Sequence, residues 1–298
     1  MKIRANGIDI EVEDTGAGGA QAGQPVVLLI MGLGMQLVSW PSEMIDGLVN
    51  AGYRVIRHDN RDVGLSQHFN HLGAPNLIWA QLKLKMGLSV RPPYTLKDMA
   101  DDAVGVLDAL KVDRAHVVGM SMGGMIAQRV ALSAPQRVAS LTSIMSSSGA
   151  RGLPEARSDV IRALFSRPAG PGLDATVDHY VRLLRLIGSP DYPIPEALLR
   201  EQILTGLRRH HNPVGTLRQM MAIAADVGAR ARALGAIRAP SLVLHGKADI
   251  LVPYACGEDT ARRIPGARMV GIDGMGHDLP PGVVDHVLRH TLPHLQAA

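Results

Sequence analysis

Short apolar runs rich in valine, leucine and isoleucine recur along the chain, at PVVLLI (25–30), AHVVG (115–119), RVASLTSIM (137–145) and PSLVLHG (240–246). A strand with no polar face has to be covered on both sides, and only a sheet sandwiched between helices does that. The segments between the runs supply the helices. PSEMIDGLVNAG follows the first run, and TLKDMADDAVGVLDALKV precedes the second, with Thr95 as cap and Leu96, Met99, Ala103, Leu107 and Leu110 on one stripe. MGGMIAQRVALSAP follows the second run, and YRVIRHD at 53–59 adds a further strand. The expected architecture is an α/β fold with a mostly parallel, doubly wound sheet. At the N-terminus, Asn6-Gly7 between the alternating runs KIRA and IDIEVE signals a hairpin, because both residues tolerate the positive φ of a tight turn.

The alternation stops near Ser146 and resumes near Ala239. Four helical patterns fill the gap: LPEARSDVIRALFSR, LDATVDHYVRLLRLIG, IPEALLREQILTGLRR and NPVGTLRQMMAIAADVG. A helical block between two strands of one sheet is the pattern of a cap. The chain therefore divides into a core of 1–147 and 238–298 and an inserted helical cap, or lid, of 148–237. The connection at 60–94 carries one more amphipathic piece, NLIWAQLKLKMG.

Composition removes several classes of function. The 31 Lys and Arg are interleaved with 27 Asp and Glu, and aromatic residues make up only 3% of the 298. There is neither a basic stripe to track phosphates nor a set of rings to stack bases, so no nucleic-acid partner is expected. The longest apolar run, VVLLIMGLGM at 26–35, is too short to span a bilayer, and MKIRANGIDIEVEDTG lacks a signal-peptide core. No membrane insertion and a cytoplasmic location follow as expectations. The single cysteine, Cys256, excludes an intrachain disulfide and a Cys-rich metal site, and reads as a small buried hydrophobe. No metal and no cofactor are expected, and a homodimer is compatible with the sequence.

Chemistry concentrates around VVGMSMGGMIAQ at 117–128. Ser121 stands between Gly119 and Gly123, after a strand and before a helix, which is the setting of a nucleophile elbow. A Cβ at either glycine position would collide with the neighbouring strand or helix. The turn lifts Oγ above the sheet edge, where helix N-terminal amides favour negative charge. A serine hydroxyl is a weak nucleophile and needs a base and an orienting acid. The next two loops at the same sheet edge, GKADILVP and GMGHDLP, supply Asp249 and His277. Among the 12 histidines, His277 alone sits on a post-strand loop after the acid; His116 and His245 border strands and pack locally. Asp273 and Asp278 flank His277 too closely in sequence to reach its ring in the right geometry.

Acyl transfer also needs donors for an oxyanion. The loop IMGLGMQ places the backbone N–H of Leu33 opposite that of Met122. Side-chain identity matters little for this role, so Leu33→Pro is expected to remove activity that Met122→Ala spares. Met31, Met35, Met145 and Met275 border the same place and form a candidate lining for an apolar substrate pocket. The alternative is that they fill the core beneath the elbow. The RRHH run at 208–211 reads as a solvated cap face, and Asp59, Arg61 and Asp62 as residues that fix a loop beside the elbow. The same first strand and loop also mimic a dinucleotide fingerprint ending in Asp59, but Leu37 stands where its third glycine belongs. A non-catalytic ligand receptor is the remaining alternative, against which the candidate triad and the glycine-flanked elbow argue, because a scaffold has no reason to retain strain.

At GMSMGG, RHDNRDVGLS, PPYTLKDMADDAVGVLDALKVDRAHVVG and GKADILVP…GMGH the sequence resembles the α/β-hydrolase superfamily, in the serine esterase group that includes aclacinomycin methylesterase. The resemblance covers most of 1–148 and 238–296 and implies Ser121 as nucleophile, Asp249 as acid, His277 as base and Leu33 and Met122 as oxyanion donors. It departs from the wider pattern in having Met31-Gly32 where many relatives have His-Gly. Relatives that hydrolyse haloalkanes or epoxides carry Asp at the nucleophile position, so Ser121 points elsewhere. The implied activity is hydrolysis of small to medium apolar carboxylic esters, as a carboxylesterase or methylesterase acting through an acyl-enzyme on a small-molecule ester. Cofactor-free C–C bond hydrolases, lactonases and acyltransferases use the same triad and stay open.

Overall fold

In the first long strand the side chains divide between two cores: Leu28 and Ile30 join one apolar cluster and Val27 and Leu29 the other, all four at 0% exposure. The computed structural model describes residues 1–17, 19, 23–86 and 88–298, and of residues 78, 81, 84 and 85 the backbone alone. Its strands are β1 (Lys2–Ala5), β2 (Ile8–Asp14), β3 (Val26–Ile30), β4 (Arg54–His58), β5 (Ala115–Met120), β6 (Val138–Ile144), β7 (Ser241–Gly246) and β8 (Arg268–Ile272). They form one sheet in the order β1-β2-β4-β3-β5-β6-β7-β8. Pairing is parallel from β4 through β8 and antiparallel at β1–β2 and β2–β4. The hairpin turns at Asn6 (φ 47°) and Gly7 (φ 75°), as the sequence expects.

Helices cover both faces. On one side α3 (Leu96–Ala109) and α4 (Met122–Ser133) bury Met99, Val106, Ile126 and Val130. On the other, α1 (Ser42–Asn50) and α11 (Pro281–Gln296) bury Met44, Leu48, Val283 and Val287. Helix α3 begins at Thr95, whose Oγ1 accepts from Asp98 N–H (3.1 Å) while Asp98 Oδ2 accepts from Thr95 N–H (2.7 Å), a reciprocal capping box. The chain between β6 and β7 is helical: α5 (Ser158–Leu164), α6 (Leu173–Ile187), α7 (Glu196–Arg209), α8 (Pro213–Ala225) and α9 (Ala229–Ala233). Helices α6 and α7 share a small core of Val177, Val181, Leu199 and Ile203. Between β4 and α3, α2 (Leu77–Lys85) occupies part of the amphipathic piece expected at 76–87, four of whose side chains and residue 87 lie outside the described residues. After β7 comes α10 (Tyr254–Arg263), which buries Cys256; burial raises the pKa of its thiol. No helix of the described residues is long and apolar enough to cross a membrane.

Three buried imidazoles lie on strands of the sheet, His245 on β7 and two others, His58 and His116, whose protonation bears on stability. His58 on β4 is 1% exposed, and burial pushes its pKa down to about 4. His116 on β5 pairs with Ser140 Oγ at 2.8 Å, and burial, aided by His294 and Arg114, lowers it to about 4 as well. Both stay neutral in the fold at a pH where the unfolded chain would protonate them. Stability is therefore fully retained above the unfolded value near 6.5 and declines as pH falls from there toward 4, by up to about 3 kcal/mol per group. A melting temperature about 10 °C lower at pH 4.5 than at pH 7 is expected from calorimetry. A flat profile across that window would contradict it.

Candidate active site

Ser121 follows β5 directly and precedes α4, and its backbone sits at φ 56°, ψ −120°. A non-glycine residue pays on the order of 1–3 kcal/mol for such a conformation, so the surroundings have to enforce it. They do so from several sides. Ser121 N–H donates to Ile144 O (2.9 Å), and Ser121 O accepts from Ser146 Oγ (2.7 Å) and Gly124 N–H (3.0 Å). A Cβ on Gly119 would stand 2.1 Å from Gly123 O, and one on Gly123 would stand 2.0 Å from Ile30 O. Gly124 is equally constrained, 2.6 Å from Ser146 Cβ by the same measure, a requirement the motif alone does not announce.

The structure brings Ser121, His277 and Asp249 together. His277, on the loop after β8, lies with Nε2 2.9 Å from Ser121 Oγ and Nδ1 2.7 Å from Asp249 Oδ2. A carboxylate can only accept, so the ring proton belongs on Nδ1 and Nε2 is left to accept from the serine hydroxyl. The Asp249 side chain is fully buried and its second oxygen accepts from Leu251 N–H (2.9 Å) and Val252 N–H (2.8 Å). Four hydrogen-bonding groups thus define one line from backbone amide to hydroxyl. Asp273 is paired with Lys247 (2.9 Å) and Asp278 with Ser189, so neither competes for the ring.

His245 at the end of β7 has a role the sequence reading gave only as local packing. Its Nε2 donates to Val252 O (2.7 Å), which closes the loop whose amides hold Asp249. Burial lowers its pKa, so it stays neutral beside Asp249 at 3.6 Å and does not draw the carboxylate away from His277.

The loop after β3 lies against the serine: a Cβ on Gly32 would be 3.2 Å from Ser121 Cβ and 3.7 Å from its Oγ. Met35 N–H returns to Gly32 O (3.3 Å) and Gly34 N–H goes to Gln219 Oε1 (2.9 Å), whereas Leu33 N–H has no partner among the described residues. Met122 N–H opens α4, where a helix provides no acceptor of its own. Both amides therefore remain without an acceptor among the described residues. Met122 itself is 1% exposed and part of the core, so truncating it would open a cavity as well. The cleaner comparison is Leu33→Pro, which deletes the N–H, against Leu33→Ala, which keeps it. If the amide receives an oxyanion, ester turnover by the proline variant should fall about 100-fold or more below the alanine variant; equal rates would count against it.

The methionines divide differently from the pocket lining expected of them. Met31, Met145 and Met275 are 0–1% exposed and packed in the cluster with α1 and α11, so they fill the core beneath the elbow. Only Met35 of the four is partly exposed. The RRHH run is likewise no simple solvated face. Arg209 reaches the buried Asp59 (2.5 Å), and His210 stacks on His68 with ring centres 4.2 Å apart. Asp59 also accepts from Leu37 N–H (2.7 Å) and Leu65 N–H (2.9 Å), so its carboxylate is committed to holding the loop. Arg61 pairs with Asp102 at 2.6 Å and 2.7 Å, and Asp62 with Arg218 of α8 at 2.7 Å twice. Arg209, Arg218 and Gln219 are thus site-supporting residues that the sequence gave no means to assign.

Comparison with known proteins agrees with the fold. The model of a family described as alpha/beta hydrolase fold matches residues 25–280. A rhodomycin D methylesterase of Streptomyces sp. (strain C5) is 31% identical over 292 residues, covering 91% of each chain. A protein of the same name from Streptomyces peucetius is 30% identical, again over 91% of each. Among solved structures, the enol-lactonase from Burkholderia xenovorans LB400 superposes with a TM-score of 0.74 at 22% identity, over 99% of this chain and 100% of that one.

Proposed function

The chain belongs to the α/β-hydrolase fold family, and from that premise we propose that it is a serine hydrolase of small-molecule carboxylic esters, with a methyl ester as the first class to test. The observation that carries this reading is the continuous path Asp249 Oδ2, His277 Nδ1, His277 Nε2, Ser121 Oγ, at 2.7 Å and 2.9 Å, ending on a serine held at positive φ. Ser121 Oγ attacks the ester carbonyl as its proton passes to His277 Nε2. The carboxylate of Asp249 stabilises the resulting imidazolium, and the N–H groups of Leu33 and Met122 receive the oxyanion, each worth about 3 kcal/mol in the transition state. Collapse expels the alcohol, which takes the proton back from Nε2. Water then gives a proton to the same nitrogen as it attacks the acyl-enzyme, and collapse breaks the bond to Ser121 Oγ, which takes that proton back from Nε2 as the acid is released.

Residues 148–237 act in this reading as a cap over the site. Gln36 donates to Gly206 O and His210 O (2.7 Å each), and Gln219 joins α8 to Gly34 and to Arg61 O (2.9 Å), so the inserted helices bear directly on the proposed oxyanion loop. The two methylesterase relatives support the ester class. The test is a panel of methyl, aryl and lactone substrates on wild type and Ser121→Ala, together with labelling by a fluorophosphonate. Turnover of esters and a label mapped to Ser121 are expected. A folded protein that takes no label and cleaves no ester would overturn the reading.

A further inference from the structure

From the last residue of α6 into the connection to α7, residues 187–191 run alongside the loop 274–278 that carries His277. Ile187 O accepts the His277 N–H at 2.7 Å, and Asp191 N–H reaches Gly274 O at 3.4 Å. Between these two bonds lies Ser189, 4% exposed. Its Oγ accepts from Gly276 N–H (2.9 Å) and donates to Asp278 Oδ1 (2.5 Å), and its own N–H donates to the same oxygen (2.9 Å). The two backbones are in contact: a Cβ on Gly276 would stand 2.4 Å from Gly188 O and 2.6 Å from Ile187 O.

We propose that Ser189 is a positioning residue for His277: one hydroxyl from the inserted helices binds the residues on both sides of the imidazole and keeps Nε2 within reach of Ser121. This rests on the reading of His277 as the general base. The ring is held in two ways. Asp249 sets its rotation through Nδ1, and Ser189, together with the bond from His277 N–H to Ile187 O, sets the position of the backbone from which the ring projects. Asp249 alone cannot do both, because a ring tethered at one nitrogen still swings when its Cα shifts. Removing the hydroxyl leaves Gly276 N–H buried without a partner and releases one of two donors from Asp278, so the backbone of 276–278 relaxes. A displacement of the order of 1 Å at a reacting group costs about 100-fold in rate. The insertion is thereby part of the base's support as well as a cover for the pocket.

Ser189→Ala is expected to lower kcat on a p-nitrophenyl ester about 10- to 100-fold with KM within about twofold, and to slow fluorophosphonate labelling of Ser121 by the same factor. Ser189→Thr, which keeps the hydroxyl, should restore kcat to within about threefold of wild type on the same argument. Should Ser189→Ala fail to fold, Asp278→Ala removes the acceptor of both the Ser189 hydroxyl and the Ser189 N–H without altering the inserted segment and should lower kcat by at least about 10-fold. The deciding measurement is made in a His277→Ala background. If Ser189 acts through the imidazole, Ser189→Ala there costs less than about twofold, since no ring remains to be positioned. Equal loss in both backgrounds, or an unchanged kcat in the single variant, overturns the proposal. Full activity of His277→Ala alone would instead overturn the general-base reading on which it stands.

Discussion

Ser121→Ala is expected to reduce kcat on a cleaved ester by about 10⁶-fold while leaving the fold intact, and to abolish covalent labelling. The residual rate would come from the backbone amides and from binding, which need no nucleophilic side chain. The same geometry distinguishes Asp249→Asn from a simple loss of charge. Leu251 N–H and Val252 N–H point at one carboxylate oxygen and require an acceptor there, so the amide of Asn would turn its oxygen to them and its NH₂ toward His277 Nδ1. Nδ1 would then have to accept, which moves the ring proton to Nε2, where it faces Ser121 and blocks proton transfer. A loss of about 10⁴-fold follows from the inverted tautomer. In Ser121→Ala/Asp249→Asn the second change should cost almost nothing more, because the acid acts only through the serine's base. Near-multiplicative losses in that double variant would break the proposed connection between the groups.

What could be read from the chain beforehand follows from how far apart the interacting residues lie. The Asn6-Gly7 turn, the Thr95 capping box and the strand–Gly–x–Ser–x–Gly–helix context of Ser121 are local, set by backbone conformation within a few residues. The juxtaposition of Ser121, Asp249 and His277 is long-range, yet legible, because a parallel sheet delivers successive post-strand loops to one edge. Other parts of the site have no periodic signature. Arg218 finds Asp62 across 156 positions, and Ser189 finds Asp278 across 89, through the way the inserted helices dock. Helical patterns announce that such a block exists and leave open which polar side chains it presents to the core. The methionines show the converse error. Proximity in sequence to Ser121 or His277 says nothing about which side of the sheet a side chain enters, and Met31, Met145 and Met275 enter the side closed by α1 and α11.

Gly123→Ala is expected to cost more than about 4 kcal/mol, much of the ordinary margin of a folded chain, although alanine is the better helix former. Its Cβ would lie 2.0 Å from Ile30 O, 2.6 Å from Ile30 C and 2.8 Å from Met31 O, all of them backbone. Ile30 is the last residue of β3, in register with His58 on one side and Gly119 on the other, so it cannot retreat without parting the sheet at its centre. Helix α4 would have to lift instead, and with it Met122, Ile126 and Val130, which are 0–1% exposed in the core. Gly206 in α7 makes the control, because a Cβ there meets nothing closer than Gln36 Nε2 at 3.8 Å. Gly206→Ala should leave the melting temperature unchanged or raise it by the roughly 1 kcal/mol that helix propensity provides. Gly123→Ala should lower it by at least about 10 °C, or yield insoluble protein. A Gly123→Ala variant as stable as Gly206→Ala would mean that α4 and β3 are not in the contact that holds Ser121 at its positive φ, and the strain argument for the elbow would fail with it.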